Sequence, residues 1–352
     1  MQFSQDVTNA TRSFIIPEVY DTINKGSPLA MSLLQTAKDW SSGVSLEVVY
    51  QYANSTQGGV TGIADKLSTS RDVTTVKGTY YPKQAYQNVV AGNIELVLNQ
   101  GKERVYDFLK SQFLISAKAL QNTFADQLYN GTGAGDQFDS LDVVADDATN
   151  YSTIGGLAKA TYTTLKGYYL ASAGALTLAK MATAYDAVEI GIDSPSVIAT
   201  TKSIWSTYES LLSPTVRAGY NTSGYPKMDA MGMINSKADG LQGNGGFSVL
   251  FFRGTPVVKD ESVPSGRMYL INRGSFNFYG IDYSGIEGME TYSPANDKGT
   301  PKGVFGNPVA KGFGYRIMMS PVDQLAQVGY LLVGGDFVST NPRLQGQIRG
   351  LS

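Results

Sequence analysis

Residues 102–128, KERVYDFLKSQFLISAKALQNTFADQL, form the most regular segment of this chain. Apolar side chains recur there every three or four residues, which predicts a helix whose buried face holds Val105, Leu109, Phe113, Ala117, Leu120, Phe124 and Leu128. At 1.5 Å per residue this helix would be roughly 40 Å long. The sequence Gly131-Thr132-Gly133-Ala134-Gly135 follows a helix and lacks a Gly-Lys-Ser/Thr motif, so it indicates a helix-terminating loop and not a phosphate-binding one.

Upstream of this helix, the sequence predicts an arm followed by a β-hairpin. Residues 1–43 contain two short apolar pieces, FIIPEVYDTI and PLAMSLLQTA, and neither is long enough to fold alone. Within residues 44–98, the strand-like runs VSLEVVYQYAN and VTTVKGTYY flank a polar, Gly-rich stretch at 55–72. Because a two-stranded hairpin is marginal in water by itself, we expect this one to rest on another chain.

Downstream, a mixed region gives way to strands. Residues 175–189 and KSIWSTYESLL predict two helices separated by SVIAT, a buried strand. Their inward positions are predicted to be Leu178, Met181, Tyr185 and Val188 in the first helix and Ile204, Trp205, Tyr208 and Leu212 in the second. From about residue 247, FSVLFF, TPVVKD, RMYLIN, YRIMM and GYLLVG predict strands. This order favours an α+β fold.

The composition argues against most catalytic and metal chemistry. The chain has no histidine and no cysteine, so it lacks the commonest general base, thiolate nucleophiles and the commonest metal ligands. We therefore predict no catalytic, cofactor-binding or metal-binding residues. Lys plus Arg is 28 and Asp plus Glu is 30, a net charge of −2 that argues against wrapping nucleic acid by charge. Charged residues make up only 16%, which indicates surface buried against other subunits.

The clustered aspartates and the many aromatic residues each allow a second interpretation. Residues 138–156 are acidic and loop-like. A run of carboxylates that begins just before them predicts a solvated acidic loop, with a weak divalent-ion site as the alternative: Asp136, Asp139, Asp142, Asp146 and Asp147. Their spacing does not match a calcium loop. The 22 tyrosines and 14 phenylalanines are not interleaved with basic clusters, so we interpret them as core and interface packing and not as base-stacking residues.

No targeting or membrane segment is predicted. The N-terminal sequence MQFSQDVTNATRSFIIPEVY lacks the basic stretch and apolar core of a signal peptide. No segment reaches the ~20 consecutive apolar residues of a membrane helix. We therefore expect a protein made and used in the cytoplasm, without membrane contact.

The order of elements resembles that of the major capsid proteins of tailed bacteriophages, which share the Hong Kong phage capsid fold. NVVAGNIELVLNQGKERVYDFLKSQFLISAKAL is similar to the end of the family's extended loop and its spine helix, and SVIATTKSIWSTYESLL to a strand and helix of its axial domain. GTPVVKDESVPSGRMYLINRGSFNFYG resembles the return strands, and GYLLVGGDFVSTNPRLQGQIRG the C-terminal strands. The resemblance implies five regions: an N-terminal arm (1–43), an extended loop (44–98), a peripheral domain (99–165) with spine helix 102–128, an axial domain (166–255), and return and C-terminal strands (256–352).

The resemblance also implies a function. It implies a structural subunit, not an enzyme, that self-assembles into hexamers and pentamers of an icosahedral shell around double-stranded DNA. The implied partners are other copies of the chain, a separate scaffolding protein, a portal protein, optionally a decoration protein, and packaged DNA contacted non-specifically. The implied location is the virion, after assembly in the bacterial cytoplasm. An encapsulin-like compartment is the alternative on the same fold; a fibrous or surface-layer protein and an enzyme are alternatives from other classes.

Two family features are not matched by this sequence. Many members carry a charged helical N-terminal extension that scaffolds assembly, and no charged heptad-like segment precedes residue 102. We therefore expect a separately encoded scaffold, or unaided assembly into shells of variable size. Cross-linking members join a lysine of the extended loop to a neighbour's asparagine with help from a buried glutamate. Lys66, Lys77 and Lys83 lie in or near the hairpin, but no asparagine or glutamate is matched to that chemistry.

Overall fold

The computed structural model describes residues 26–40, 43–62, 66–98, 108–212, 250–281, 283, 289–290, 313–319 and 325–352. Its helices are α1 Pro28–Gln35, α2 Asn93–Leu98, α3 Phe108–Asn130, α4 Leu141–Val144, α5 Leu178–Val188 and α6 Lys202–Leu211. Its strands are β1 Lys38–Trp40, β2 Leu46–Gln51, β3 Thr75–Tyr80, β4 Lys83–Gly92, β5 Thr153–Ile154, β6 Leu157–Ala158, β7 Tyr168–Leu170, β8 Val197–Thr200, β9 Leu250–Phe252, β10 Thr255–Lys259, β11 Met268–Ile271, β12 Phe276–Ile281, β13 Met289–Glu290, β14 Phe313–Met319, β15 Ala326–Ser339 and β16 Gly346–Ile348. The predicted α+β class is confirmed.

A six-stranded sheet is built around β15, the longest strand. Its order is β1-β12-β15-β14-β13, and β4 also pairs with β15. The antiparallel register of β4 with β15 runs over ten residues, from Lys83 opposite Gly335 to Gly92 opposite Ala326. Successive side chains of a strand point to opposite faces, so Ala85 and Val89 of β4 are buried while the residues between them are largely exposed.

Helix α3 packs against the inner face of this sheet, as its apolar periodicity predicts. Four of the predicted inward positions are fully buried: Ala117, Leu120, Phe124 and Leu128. Phe113 is partly buried, and residues 102–107, including Val105, lie outside the described residues. The helix ends where predicted, at Asn130. The next position requires glycine, because a Cβ at Gly131 would come within 2.3 Å of the Phe138 carbonyl oxygen.

A second sheet, of order β7-β16-β11-β8-β10-β9, is covered on both faces. Ile198 and Leu270 face the core formed with α5 and α6, while Ala199 and Ile271 face the core shared with α3. Burial on both sides explains why the strand is apolar from Val197 to Ala199, and the predicted buried strand is confirmed over Val197–Thr200. The predicted helix faces are confirmed except at Leu178, which is 41% exposed because it begins α5 at the edge of the sheet.

The last part of the predicted arm belongs to the subunit's own core. Helix α1 starts at Ser27, whose hydroxyl accepts the Ala30 N–H, and it buries Leu29 and Leu33. Strand β1 then pairs in parallel with β12. The apolar piece PLAMSLLQTA therefore docks within its own chain, whereas residues 1–25 lie outside the described residues.

The paired hairpin strands occupy part of residues 44–98, the extended loop that the resemblance implies. Strands β2 and β3 pair with each other, from Leu46 opposite Tyr80 to Gln51 opposite Thr75. The chain then continues into β4, which belongs to the large sheet because its inward residues pack beneath α3, and into α2. Paired hairpin strands thus end at Tyr80, and residues 83–92 are sheet.

The prediction of a solvated acidic loop is wrong for Asp142 and Asp146, which are buried. Asp142 accepts the Tyr269 hydroxyl at 2.5 Å and forms ion pairs with Arg267 and Arg349 on the second sheet. Asp146 accepts the N–H groups of residues 148, 150 and 151 within one tight turn. These partners compensate the cost of burying a carboxylate, and those of Asp142 are brought to it by the tertiary fold.

Candidate assembly surface

The hairpin tip, residues 53–62 and 66–74, projects from the subunit with its backbone and side chains exposed to solvent. Asp72 organises it, because one carboxylate accepts the Thr56 N–H at 2.7 Å, the Thr56 hydroxyl at 2.9 Å and the Gln57 side-chain amide at 2.9 Å. These hydrogen bonds, that of the Thr56 backbone first, lower the pKa of Asp72 below its ordinary value. Val60, Leu67 and Val73 are exposed. The tip is therefore shaped by polar contacts and leaves apolar side chains uncovered.

The hairpin base, in contrast, is part of the subunit's core. Tyr50 and Tyr80 are buried, and their hydroxyl oxygens lie 2.7 Å apart. Since the Tyr50 hydroxyl donates to the Ser339 carbonyl at 2.7 Å, the Tyr80 hydroxyl is the donor to Tyr50. Burial raises the pKa of Tyr50 to about 12. The hairpin base therefore rests on its own chain, and the expected support from another chain concerns the tip.

Two further contacts fix the base. The Thr79 N–H donates to the Gly155 carbonyl in the β5–β6 turn at 2.8 Å. The Tyr50 ring lies over Gly78, where an added Cβ would come within 2.7 Å of the ring. A glycine at residue 78 is thus required for the ring to lie flat across the hairpin.

A buried ion cluster lies where the hairpin joins the large sheet. The Lys83 ammonium donates to Asp336 at 2.8 Å and to Asp139 at 3.0 Å. The second oxygen of Asp336 accepts the backbone N–H groups of Asp139 and Phe337, both at 2.9 Å. Burial, and next the charge of Asp139, raise the pKa of Asp336 to about 8 against the opposing effect of Lys83. Burial disfavours the charged form of Lys83, but the two carboxylates outweigh it and raise the pKa of Lys83.

The three lysines in or near the hairpin have different surroundings in the structure. Lys83 is buried in ion pairs, whereas Lys77 forms an exposed pair with Glu47 at 2.8 Å and Lys66 lies on the exposed tip. Nothing in the sequence distinguished Lys83 from the other two, because its carboxylate partners lie 56 and 253 residues away.

A second exposed apolar region lies beside the hairpin, on the outer side of β4 and on α2. We call Tyr86, Val90, Ile94, Val97 and Leu325 the β4–α2 surface. Tyr86 stacks edge-on against Tyr330 at 6.5 Å between ring centroids, and the Asn93 N–H donates to the Leu325 carbonyl at 3.1 Å. Ile94 is 72% exposed and Leu325 is 84% exposed. Exposed apolar side chains gathered on one region are typical of interaction surfaces.

The described residues hold no arrangement suited to a metal or a membrane. No group of three or more Asp and Glu side chains within the described ranges is positioned to bind a metal ion. Four of the five aspartates of 136–147 are directed to separate partners: Asp139 to Lys83, Asp142 to two arginines, Asp146 to its own turn and Asp147 to the Thr149 N–H. No helix in the described part of the chain is long and apolar enough to cross a membrane.

The acidic segment also encloses a buried lysine that the sequence did not single out. The Lys159 ammonium donates to the carbonyls of Val143 at 2.6 Å and Asp146 at 2.8 Å. Burial lowers the pKa of Lys159 to about 8. Both hydrogen bonds tie β6 and the following turn to α4, which is a structural role.

Comparison with known proteins shows similarity in structure. No family model matches the chain, and no curated protein matches it. The chain is similar in fold to the cyanophage A-1(L) capsid asymmetric unit, with 16% identity, a TM-score of 0.71 and 99% of each chain covered. It is also similar to the capsid of a native GTA particle, with 10% identity, a TM-score of 0.55 and 96% of each chain covered.

One further solved structure is a different kind of shell. The SrpI encapsulin of Synechococcus elongatus is 9% identical, with a TM-score of 0.54, over 100% of this chain and 96% of the encapsulin chain. All three likenesses extend over nearly the whole length of both partners, so they concern the entire architecture and not one shared motif. This chain therefore has the predicted Hong Kong phage capsid fold.

Proposed function

We propose that this protein is the major capsid protein of a tailed bacteriophage, a subunit of an icosahedral shell around double-stranded DNA. The observation that carries the proposal is the likeness to a cyanophage capsid over 99% of both chains. In this role the chain works by binding copies of itself, and it performs no catalysis.

The exposed surfaces support self-assembly. A single subunit leaves the hairpin tip and the β4–α2 surface uncovered, and both carry exposed apolar side chains. Covering such side chains on association is favourable by roughly 25 cal/mol per Å² of apolar area. A hairpin that is anchored at its base and exposed at its tip suits contact with a neighbouring subunit, because closed shells need each subunit to bind several others.

The remaining partners follow from the proposed role. Hexamers and pentamers of this chain would form the shell, with a separate scaffolding protein and a portal protein, and a decoration protein as an option. Packaged DNA would be contacted non-specifically, since a net charge of −2 provides little electrostatic attraction. The proposed location is the virion, after assembly in the host cytoplasm.

A protein compartment is the second candidate, because an encapsulin shares this fold over the full chain. The two functions differ in what the shell encloses. Particles isolated from native cells would contain double-stranded DNA if the chain is a capsid protein, and a cargo protein if it is a compartment.

Expression of the full chain followed by electron microscopy tests the shared part of both proposals. We expect hollow icosahedral particles, related tubes, or rings of five and six subunits. Subunits that stay monomeric at high concentration, alone and with the proteins encoded by neighbouring genes, would contradict the proposed function.

A further inference from the structure

The ion cluster Lys83–Asp139–Asp336 lies at the joint between the hairpin and the large sheet. Strand β3 ends at Tyr80, two residues follow, and Lys83 is the first residue of β4. Its ammonium reaches two other parts of the chain, the turn before α4 through Asp139 and strand β15 through Asp336. The cluster therefore joins the segment that leaves the hairpin to the two segments beneath it.

The charges in this cluster do not balance. Two carboxylates share one ammonium, and all three side chains are nearly or fully buried. Burying an ion pair is tolerated when the charges match, but a surplus buried charge is strongly unfavourable. Protonation of Asp336, the more deeply buried of the two carboxylates, removes the surplus, and loss of that proton leaves a net negative charge beneath the hairpin.

The other titratable groups facing the cluster do not compensate for that charge. Tyr80 on β3 faces both carboxylates, and Tyr50 on β2 lies behind it. Burial raises the pKa of both tyrosines, so both stay protonated near neutral pH. Lys159 acts on Asp139 at longer range, but its ammonium is bound to the carbonyls of Val143 and Asp146.

We propose that the Lys83–Asp139–Asp336 cluster is a proton-dependent latch that holds the hairpin base against its own subunit when protonated and loosens it when deprotonated. The latch is a property of the single subunit. Its consequence, that the angle of the hairpin during assembly depends on pH, rests on the proposed function.

The direction of the pH dependence follows from Asp336. Its pKa, raised to about 8, is higher than that of an aspartate in the unfolded chain. A raised pKa contributes stability at low pH, and that contribution is lost as the pH rises through the folded value. Lys159 has the opposite sign, because a lysine whose pKa is lowered favours the folded state as the pH rises. If the hairpin base loosens above about pH 8, the cause is therefore deprotonation of Asp336 and not of Lys159.

Hydrogen–deuterium exchange of the full-length, unassembled chain between pH 6.5 and 9 tests the latch. We expect exchange in β2 and β3, corrected for the intrinsic pH dependence of amide exchange, to accelerate above the pKa by up to roughly tenfold per pH unit, the limit for one linked proton. Exchange in α5, which packs on the second sheet, serves as the internal reference and is expected to stay constant.

Two variants remove the surplus charge in different ways. Asp336→Asn imitates the protonated carboxyl, and Asp139→Asn leaves Lys83 with a single carboxylate, so both are expected to abolish the acceleration. Lys77→Met is the matched control, since Lys77 lies on the same hairpin in an exposed ion pair and its removal should leave the wild-type profile. If Asp336→Asn does not fold, Asp139→Asn carries the test, because the Asp139 side chain is 13% exposed whereas that of Asp336 is fully buried.

The outcomes separate the latch from the proposed function. A hairpin whose corrected exchange is independent of pH, or an acceleration that persists in the asparagine variants and disappears in Lys159→Met, would overturn the latch. A latch that behaves as expected in a chain that never assembles would leave the latch standing and remove the proposed function.

Discussion

The base and the tip belong to the same hairpin, the base on strands β2 and β3 and the tip on the residues between them, yet they are stabilised by different interactions. The base buries the rings of Tyr50 and Tyr80. The Tyr80 hydroxyl donates to that of Tyr50, which in turn donates to the Ser339 carbonyl. The tip has no buried side chain in its described part and depends on hydrogen bonds to Asp72. The difference teaches that one hairpin can belong to the subunit's core at one end and remain available to other subunits at the other.

This contrast assigns stability and assembly to different residues. Changes at the base, or in the core to which it belongs, are expected to lower the free energy of unfolding of the subunit. Changes at the tip are expected to leave that free energy almost unchanged and to affect shells instead. The following substitutions test this division in order of their expected effect on the subunit.

Phe124→Ala is expected to have the largest effect, because Phe124 lies at the centre of the core that holds the hairpin base. Its ring is 5.0 Å from that of Phe278 and 5.1 Å from that of Phe337. Truncating such a buried ring typically costs ~3–5 kcal/mol. Chemical denaturation of the unassembled subunit measures this loss of stability. The control Phe113→Ala, at a partly buried position on the same helix, should cost less. Equal costs would contradict the assigned helix face.

Tyr50→Phe is expected to destabilise the subunit by about 1–3 kcal/mol, the usual cost of leaving buried hydrogen-bonding groups unsatisfied. The change keeps the ring over Gly78 but leaves the Ser339 carbonyl without its donor and the Tyr80 hydroxyl without its acceptor. Denaturation of Tyr52→Phe provides the control, because the Tyr52 hydroxyl donates to the Val73 carbonyl in an exposed position. If Tyr50→Phe and Tyr52→Phe had the same free energy of unfolding, the buried hydroxyls would not stabilise the base.

Deletion of residues 57–70 is expected to leave the melting temperature of the subunit nearly unchanged and to block shell formation or weaken the shells. The described residues of this stretch are exposed and contribute nothing to the core. Calorimetry of the subunit and heat resistance of the particles measure the two effects separately. Normal, equally heat-resistant shells from the deletion variant would show that the tip takes no part in assembly.

Asp72→Asn is expected to change only the local order of the tip, the smallest of the four effects. The pKa of Asp72 is lowered below its ordinary value of 3.8, chiefly by the Thr56 N–H, so its contribution is present above that value and lost as the pH falls through the folded value. Amide exchange at residues 55–57 should therefore accelerate in acid for the wild type. In Asp72→Asn it should be fast already at neutral pH, without any change in melting temperature.

Local periodicity made much of the fold predictable. The face of α3, the buried strand SVIAT and the strands after residue 247 each follow from which side chains in a short window are apolar. The polar, glycine-rich stretch between two strand patterns likewise located the hairpin tip. The domain boundaries inferred from the resemblance remain predictions, and residues 1–25 lie outside the described residues.

Other features could not be predicted from any window of sequence. Residues 83–92 fall within the extended loop 44–98 that the resemblance implies, and only the ten-residue pairing of β4 with β15 shows that they form a strand of the large sheet. The solvated acidic loop was an equally reasonable interpretation of 138–156, since aspartates are mostly exposed unless they are paired.

The sequence by itself determined the class of fold, the order of its elements, the absence of histidine and cysteine chemistry and the polar tip between two strands. Only the tertiary structure decided which charges are buried, since Asp142 meets Arg267 across 125 residues and Lys83 meets Asp336 across 253. The physical reason is the separation along the sequence between the residues that interact. Periodicity is a property of neighbouring residues, whereas Asp142 and Asp336 are buried because distant cations and donors compensate their loss of water.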